Sequence, residues 1–463
     1  MSPQQHRVVV VGAGITGLTT AYYLRKANPD IEVTVLDAAH RPGGKILTSP
    51  FAGMRVDEAS DMFLARVPWG IELAEELGLL EELVSPVQRS AFIYSYGELR
   101  PMPQPMVLGI PLDLDALAAS GVLSPVGVSA AAADLERTHN EVVGDESIGS
   151  IVRRRLGDEV LERLVDPLLG GINAGDCDSL SLDASAAQLA HAARQGASFI
   201  AELRAIREQN PPDPDAPLFY AHPDGMGRFV DELAARLGSA IVTDTTVETL
   251  ERDGDGWRLL SNAGVFDAEV IVLALPASHA APLVQEHTAV AAGEMRSIDF
   301  ASVAMVAMAY DPADIALSLE GAGVLVPKPE QRAITACSWG SSKWEHLAAS
   351  GATILRVSVG HIGNPEVARL PDDELLAEIR ADLKRIMGIE AEPTEVRISR
   401  WLDAFPQYSP GHLAKVDSIE AALEEWAPGL FVAGASYRGV GIPACIDQAH
   451  QAVRSTERYL RTQ

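Results

Sequence analysis

The 463-residue sequence contains few cysteines, and this shortage excludes several classes of protein. Cys177, Cys337 and Cys445 are far apart and form no CxxC pair, which excludes a disulfide framework and a thiolate zinc site. No HExxH motif or Ser-His-Asp arrangement indicates a hydrolase, and we expect no metal. Such cysteine usage is typical of a reducing compartment, so we predict a cytoplasmic protein.

Positive charge is also scarce, with 37 Lys and Arg against 64 Asp and Glu and a formal net charge of −27. This field repels phosphate backbones and anionic lipid, so nucleic acid is not an expected partner. An anionic substrate would need a few placed cations. The sequence has no run of about 20 uncharged apolar residues, so no spanning helix is expected. The polar residues 1–7 lack the pattern of a signal peptide.

Apolar material is abundant: 47% of residues are hydrophobic and 22% are charged, as in globular proteins. At about 150 residues per domain, the length predicts about three units. Stretches suited to helices at 116–137, 148–169 and 185–208 predict a helical middle, and alternation at about 300–360 predicts antiparallel strands. A helix is also predicted at 372–387.

The first 37 residues have the pattern of a strand, a glycine-rich turn, a helix and a second strand. Gly12, Gly14 and Gly17 follow the valines at 8–11 with GxGxxG spacing, and Asp37 ends the second strand. Glycines here permit close approach of a pyrophosphate, and the helix N-terminus offers free N–H groups to it. A carboxylate at the second strand's end accepts both ribose hydroxyls. The pattern predicts dinucleotide binding, with a plain glycine-rich turn as the alternative.

Two further segments favour FAD over a nicotinamide. Residues 41–45, Arg-Pro-Gly-Gly-Lys, follow the ribose acid directly, as in flavoproteins whose second glycine pair passes close to the cofactor. Near the other end, residues 430–434 resemble the second FAD-contacting strand of such proteins. Both ends of the chain should therefore build one FAD site.

Residues 431–443 strongly resemble the C-terminal signature of the protoporphyrinogen and coproporphyrinogen oxidases, flavoproteins of haem synthesis related to the amine oxidases. Residues 167–176 look like that family's substrate-lining turn, and residues 400–412 like its R-W, P-Q-Y and G-H motifs. Residues 225–227 and Val247 match the returning part of the FAD domain. The resemblance covers nearly the whole chain.

The resemblance implies FAD-dependent oxidation of coproporphyrinogen III to coproporphyrin III, with six electrons passing to oxygen and hydrogen peroxide formed. It implies porphyrinogen and oxygen as partners, and a transient contact with the next haem-synthesis enzyme. No side chain is expected to be catalytic, because the flavin carries the chemistry. We favour coproporphyrinogen, a water-soluble tetra-anion, over the more hydrophobic protoporphyrinogen. The reason is that the sequence is acidic and contains no segment expected to span a membrane.

Three alternatives remain open. They are a protoporphyrinogen IX oxidase, another flavin oxidase of the amine-oxidase group, and a binding protein on the same scaffold without flavin, such as the dissociation inhibitors of small GTPases. The intact glycine turn and Asp37 argue against the binding protein.

The resemblance also implies individual site residues. Gly171, Ile172 and Asn173 would line the substrate. Ala59 stands where the family usually has Gly, and Asp37 where it often has Glu; neither change removes the assignment. The implied cofactor-binding residues are Gly12, Ala13, Gly14, Ile15, Thr16, Gly17, Asp37, Lys45, Ala59, Ser60, Asp61, Met62, Val247, Trp401, Val440, Gly441 and Ile442.

Anchors for the substrate propionates are less clear, since Ala91 stands where some family members have an Arg. Arg89, Arg100 and Lys343 are the candidates, with a solvated surface cation as the alternative for each.

Other conspicuous side chains have structural interpretations. Cys445 is expected to be a buried thiol, His412 a hydrogen-bonded structural histidine, and Trp339 and Trp344 core residues.

The predicted fold is α/β, with a discontinuous Rossmann-like FAD-binding domain, a mixed-sheet substrate domain and a helical insertion. The FAD-binding domain would comprise residues 1–80, 220–285 and 395–463. The substrate domain would comprise residues 81–110 and 286–394, and the helical insertion residues 111–219.

Overall fold

The structure, a computed structural model, describes residues 6–139, 144–211, 213 and 216–463. Residues 1–5, which bear on the signal-peptide prediction, lie outside the described residues. Across the described ranges, no helix combines the length and apolar character needed to cross a membrane. Within the same ranges, no three His, Cys, Asp or Glu side chains come together as a group that could hold a metal ion.

The chain alternates strands and helices along most of its length. The strands are β1 (His6–Val11), β2 (Ile31–Leu36), β3 (Thr48–Phe51), β4 (Met54–Asp57), β5 (Phe63–Leu64), β6 (Phe92–Ser95), β7 (Glu98–Pro101), β8 (Met106–Val107), β9 (Ile110–Pro111), β10 (Phe219–Tyr220), β11 (Ile241–Val242), β12 (Val247–Asp253), β13 (Gly256–Ser261), β14 (Gly264–Ala268), β15 (Val270–Leu273), β16 (Phe300–Tyr310), β17 (Gly323–Leu325), β18 (Ile334–Trp339), β19 (Thr353–Val359), β20 (Glu395–Pro406) and β21 (Leu430–Val432). The helices are α1 (Ile15–Ala27), α2 (Pro68–Leu77), α3 (Leu114–Ser120), α4 (Pro125–Ala132), α5 (Ile148–Leu156), α6 (Asp158–Val160), α7 (Gly171–Asn173), α8 (Leu182–Ser185), α9 (Ala187–Gln195), α10 (Phe199–Gln209), α11 (Gly227–Leu237), α12 (Ala277–Val284), α13 (Ala289–Arg296), α14 (Gly340–Lys343), α15 (Glu345–Ala348), α16 (Asp372–Met387), α17 (His412–Trp426) and α18 (Ile442–Leu460).

A five-stranded parallel sheet in the order β11, β2, β1, β15, β21 contains strands from both ends of the chain. In its central strand β1, Val8 lies opposite Val33 on one side and Val270 on the other. Helices α1, α11 and α18 cover one face of this sheet, and α12, α13 and α17 cover the other. A strand buried on both faces favours an unbroken apolar run, which explains the four successive valines of β1. The predicted Rossmann-like fold is confirmed.

A second large sheet is mixed and has seven strands, in the order β20, β16, β19, β18, β17, β6, β7. All its neighbours are antiparallel except β17 and β6. Helix α16 packs on one face through Leu375, Ile379 and Leu383 and coincides with the helix predicted at 372–387.

This topology moves two of the predicted domain boundaries. Strand β20 pairs with β16 along its length, so residues 395–406 lie in the seven-stranded sheet and not with the dinucleotide turn. Helix α13 packs in the same core as α12 and α17, so residues 289–296 belong beside the parallel sheet. The boundaries predicted at 395 and 285 therefore shift to the end of β20 and the start of β16.

The helical insertion packs α3–α10 around one apolar core, but the three long helices predicted there are each broken. Gly121 and Gly157 end α3 and α5 with φ of 67° and 89°, and Gly196 separates α9 from α10. Glycine adopts positive φ without steric cost, so it ends helices where apolar periodicity alone predicts continuation.

Residues Leu161–Gly170 form a π-helix with Pro167 inside it. Proline has no N–H to donate to the helical ladder, and the wider π-turn accommodates this loss. π-Helical turns occur frequently at functional sites. This one leads directly into α7, the segment predicted to line the substrate.

Candidate active site

The first glycine turn lies at the carboxyl end of β1, where Gly12 adopts φ +106° and donates its N–H to the Leu36 carbonyl at 2.7 Å. A Cβ on Gly17 would lie 1.8 Å from the Gly12 carbonyl oxygen, so Gly17 is required for packing. A Cβ on Gly14 would meet nothing within 4 Å. Gly14 therefore borders open space at the N-terminus of α1, which carries no side-chain cap. This cradle fits an incoming pyrophosphate.

Asp37 lies above this turn at the end of β2. Its carboxylate accepts the N–H of Ala13 at 2.6 Å and of Ala39 at 2.8 Å. The Thr245 N–H donates to the Asp37 carbonyl, which brings the start of β12 and its first residue, Val247, to the same end of the sheet. The free lone pairs of the carboxylate suit the ribose hydroxyls.

The second glycine pair is attached to the first turn. Gly43 bridges Gly14 and donates its N–H to the Ala13 carbonyl at 2.7 Å. Gly44 adopts φ +56°, and a Cβ there would lie 3.3 Å from the Gly14 Cα. Burial lowers the pKa of Lys45 beside this pair, and a bound anion would oppose that effect.

The signature loop, residues 433–441, is held by side chains that the family motifs supply. The Tyr408 hydroxyl donates to the Ala435 carbonyl and accepts the N–H of Gly439 at 3.0 Å. The ring of Tyr408 stacks on His412, whose Nε2–H donates to the Tyr437 carbonyl at 2.7 Å. Burial lowers the pKa of His412 to about 4, so this histidine is neutral and structural.

The loop ends at a second uncapped helix. Gly441 precedes α18 with φ +109°, and no side chain caps that helix. A Cβ on Gly441 would also meet nothing within 4 Å. The Gln448 Oε1 accepts the N–H groups of Gly434 and Arg438 and so holds the loop onto α18. Two open helix N-termini with glycine entries, one from each end of the chain, fit an extended anionic dinucleotide.

The turn at residues 59–62, which is predicted to contact the flavin and is called the flavin turn below, is bound by buried cations from the seven-stranded sheet region. Arg356 donates to the Ala59 carbonyl, and its Nη1 lies 2.7 Å from the Asp61 carboxylate. Lys343 Nζ lies 3.4 Å from the same carboxylate. Burial favours a higher pKa for Asp61, but the two cations outweigh it and hold that pKa below its ordinary value.

The turn at residues 171–173, which is predicted to line the substrate and is called the substrate turn below, leads into Ala174. Ala174 packs in one apolar cluster with Trp401, whose indole N–H donates to the Glu58 carbonyl at 3.1 Å. Asn173 is fixed at both ends, because its side chain donates to the Leu169 carbonyl and its own carbonyl accepts from Gln407. Ile172 is left 59% exposed. The structure thus joins the predicted substrate turn to the predicted cofactor residue Trp401.

The predicted propionate anchors have other surroundings. Lys343 is only 7% exposed and pairs with Asp61, so it is neither a surface cation nor free for a substrate, and we withdraw it as an anchor. Arg100 pairs with Glu98 at 3.0 Å. Arg89 is exposed on the loop before β6 and stays a candidate.

Several side chains that organise the site were not predicted from the sequence. Arg356 and Arg397 bind backbone far away in the chain, and Gln448 binds the backbone of the signature loop. All three lie outside the glycine motifs. For Arg356 a signal exists, since it is the charged residue within the apolar strand β19. The tryptophans Trp339 and Trp344 and the thiol of Cys445 are buried, as predicted.

Asp57 is a buried carboxylate next to the flavin turn. It accepts hydrogen bonds from the Thr48 hydroxyl and, at 3.0 Å, from the Met226 N–H. Burial raises its pKa from 3.8 to about 6 in spite of these bonds. The protonation state of Asp57 therefore changes near pH 6.

The two glycines of the first turn should respond differently to substitution. Gly14→Ala should leave the far-UV spectrum and the thermal midpoint of the apoprotein nearly unchanged and weaken FAD binding at least about tenfold, because its methyl group enters the open cradle. Gly17→Ala should lower both the midpoint and the affinity, because its methyl group clashes with Gly12. Equal behaviour of the two variants in calorimetry and FAD titration would contradict these placements.

Asp57 should make stability depend on pH. A carboxyl group whose pKa is raised by folding contributes stability below its unfolded pKa of 3.8, and that contribution is lost as pH rises through about 6. Asp57→Asn should therefore raise the free energy of unfolding by about 2 kcal/mol more at pH 7.5 than at pH 4.5. Denaturant titration at both pH values measures this difference, and an equal effect at both would contradict the raised pKa.

Comparison with known proteins agrees with this geometry. The profile of the family described as flavin containing amine oxidoreductase matches residues 15–455. A coproporphyrinogen III oxidase from Bacillus subtilis strain 168 is 33% identical over 470 residues, covering 99% of this chain and 100% of that protein. A chloroplastic protoporphyrinogen oxidase from Oryza sativa subsp. japonica is 27% identical, covering 98% of this chain and 88% of that protein.

A solved structure shares the whole architecture. The crystal structure of a protein from Exiguobacterium sp. 255-15, assigned as a protoporphyrinogen oxidase, superposes with a TM-score of 0.89 at 31% identity and covers 99% of each chain. Together with the two open helix N-termini and the ribose carboxylate, these similarities identify the cofactor as FAD. The chain belongs to the flavin containing amine oxidoreductase family.

Proposed function

We propose that this enzyme oxidises coproporphyrinogen III to coproporphyrin III with oxygen as the final acceptor. The porphyrinogen gives up six electrons and six protons, and three O₂ become three H₂O₂. The observation that carries the proposal is the exposed apolar Ile172, on a turn that the bonds of Asn173 fix and that leads into Ala174 in the apolar cluster of Trp401. An exposed apolar side chain suits the face of a tetrapyrrole.

FAD, when bound, supplies the hydride acceptor that no amino-acid side chain provides. The N-terminus of α1 and Gly14 would hold its pyrophosphate, and Asp37 its ribose. Residues 59–62, Trp401 and the N-terminus of α18 with Val440, Gly441 and Ile442 would surround its ring system.

The protein's own contribution is orientation and exclusion of water. Asn173 keeps the substrate turn rigid, so that Ile172 can press the macrocycle toward the flavin. The cluster of Ala174, Trp401 and Phe405 keeps that side of the site apolar. His412 takes no part in proton transfer, because its ring donates to the Tyr437 carbonyl and burial keeps it neutral.

The choice of coproporphyrinogen over protoporphyrinogen is supported by two observations. The relative from Bacillus subtilis bears the name coproporphyrinogen III oxidase and matches end to end. The net charge of −27 disfavours binding to an anionic lipid surface. Such a surface is where we would expect an enzyme to meet protoporphyrinogen, the more hydrophobic dianion. A tetra-anion needs local cations, and Arg89 is our candidate anchor.

The partners and the compartment complete the proposal. We place the reaction in the cytoplasm, which the three free, buried cysteines fit. We also propose that the enzyme transfers its porphyrin product to the next enzyme of haem synthesis through a transient contact.

The substrate choice predicts a measurable preference. The kcat/KM for coproporphyrinogen III should exceed that for protoporphyrinogen IX by at least about tenfold, because two extra propionates give two further anchoring points. Porphyrin fluorescence at matched oxygen and salt concentrations measures both values. Equal or greater efficiency with protoporphyrinogen would contradict the substrate while leaving the flavin oxidase in place.

Ile172 should affect the substrate and not the cofactor. Ile172→Ala should keep one FAD per chain and lower kcat/KM about tenfold, since a buried contact with the macrocycle is lost. Val265→Ala is a matched control, because Val265 is 58% exposed on β14, outside the proposed site, and should leave kcat/KM unchanged. Loss of FAD from Ile172→Ala, with unchanged turnover per bound FAD, would place Ile172 in the cofactor site instead.

A further inference from the structure

Four consecutive backbone carbonyls, those of residues 56–59, are bound by side chains of the seven-stranded sheet. Arg397 donates to the carbonyls of Val56 at 3.0 Å and Asp57 at 3.4 Å. The indole N–H of Trp401 donates to the carbonyl of Glu58, and Arg356 donates to the carbonyl of Ala59. We call these four groups the carbonyl row. The stretch that leads into the flavin turn is therefore positioned by a different sheet from the one that carries the glycine turns.

Arg356 is the member of this set that reaches the flavin turn itself. Its side chain is 6% exposed on β19, within an otherwise apolar strand. One guanidinium binds both the Ala59 carbonyl and the Asp61 carboxylate, two residues apart. The planar fork of an arginine can fix two acceptors at a defined separation, which a lysine cannot do equally well.

Asp61 has two further partners besides Arg356. The Trp344 indole donates to its carboxylate at 3.3 Å, and Lys343 Nζ lies 3.4 Å from the carboxylate and 3.2 Å from the Met62 sulfur. Removal of Arg356 would leave a buried carboxylate with one weaker cation, and burial of an unpaired charge is costly. The turn would then rearrange to bring Asp61 toward water.

We propose that Arg356 is a positioning residue for FAD. It fixes the flavin turn on the seven-stranded sheet. The FAD site beside the parallel sheet is therefore complete only when the pair of Arg356 and Asp61 holds this turn in place. The inference rests on the proposed contact of residues 59–62 with the flavin and is independent of which porphyrinogen is oxidised. It predicts changes in FAD affinity and in the reduction potential of the bound FAD, both measurable without substrate.

The test titrates apoprotein with FAD and measures the reduction potential of the reconstituted holoenzyme. Arg356→Met should raise the FAD Kd at least about tenfold and shift the potential to more negative values, because a lost positive charge disfavours adding electrons nearby. Arg356→Lys should bring the potential part of the way back to the wild-type value and should recover less of the FAD affinity. Lysine restores the positive charge but not the planar guanidinium that binds two acceptors.

The matched control is Arg400→Met. Arg400 lies on β20 of the same sheet, donates to the carbonyls of Ala368 and Leu370 and pairs with Asp372. Like Arg356, Arg400 binds backbone carbonyl oxygen and a carboxylate, but it does so next to α16. Its loss should leave both the FAD Kd and the potential unchanged.

Asp61→Asn decides the case in which Arg356→Met fails to fold. It removes a negative charge at the same place, so the potential should shift to more positive values, opposite to Arg356→Met. Folded variants of either residue with the Kd and potential of the wild type would overturn the inference. A wild-type chain that binds no FAD would instead contradict the cofactor and the proposed function, so the two failures are distinguishable.

Discussion

The ion pair between Arg356 and Asp61 attaches the turn at residues 59–62 to the seven-stranded sheet, at the point where the chemistry is proposed to occur. The parallel sheet presents two helix N-termini and a carboxylate, which suffice to bind a dinucleotide, but it does not by itself orient residues 59–62. Those residues are held by side chains of the seven-stranded sheet. Breaking a buried pair of this kind by removing one partner costs about 3–5 kcal/mol, so the geometry of the turn is strongly specified.

The parts of the site that could be predicted from sequence are those whose chemistry is local. Gly12, Gly14 and Gly17 lie within six residues of one another, and the strand before them and Asp37 after them follow directly from apolar periodicity. The C-terminal signature was identified because its residues are contiguous. In each case the backbone conformation and the ligand-facing group belong to the same short segment.

The parts that could not be predicted depend on pairs that are far apart in the chain. Arg356 reaches Ala59 across 297 positions, and nothing in the strand around it indicates which carbonyl it will bind. The same limit applied to Lys343, which was predicted as a propionate anchor with a solvated surface cation as the alternative, and which in fact is buried against Asp61. The helix lengths predicted within the helical insertion were wrong for another reason, because single glycines such as Gly121 and Gly157 override apolar periodicity.

A crystal structure of the holoenzyme with FAD tests most directly whether the seven-stranded sheet orients the cofactor. We expect pyrophosphate density at the N-terminus of α1 beside Gly14, the ribose on Asp37, and the ring system between residues 59–62 and Gly441, with Ile172 facing its open side. Density for the ring system away from residues 59–62, with Arg356 still paired to Asp61, would contradict the claim that the second sheet orients the cofactor.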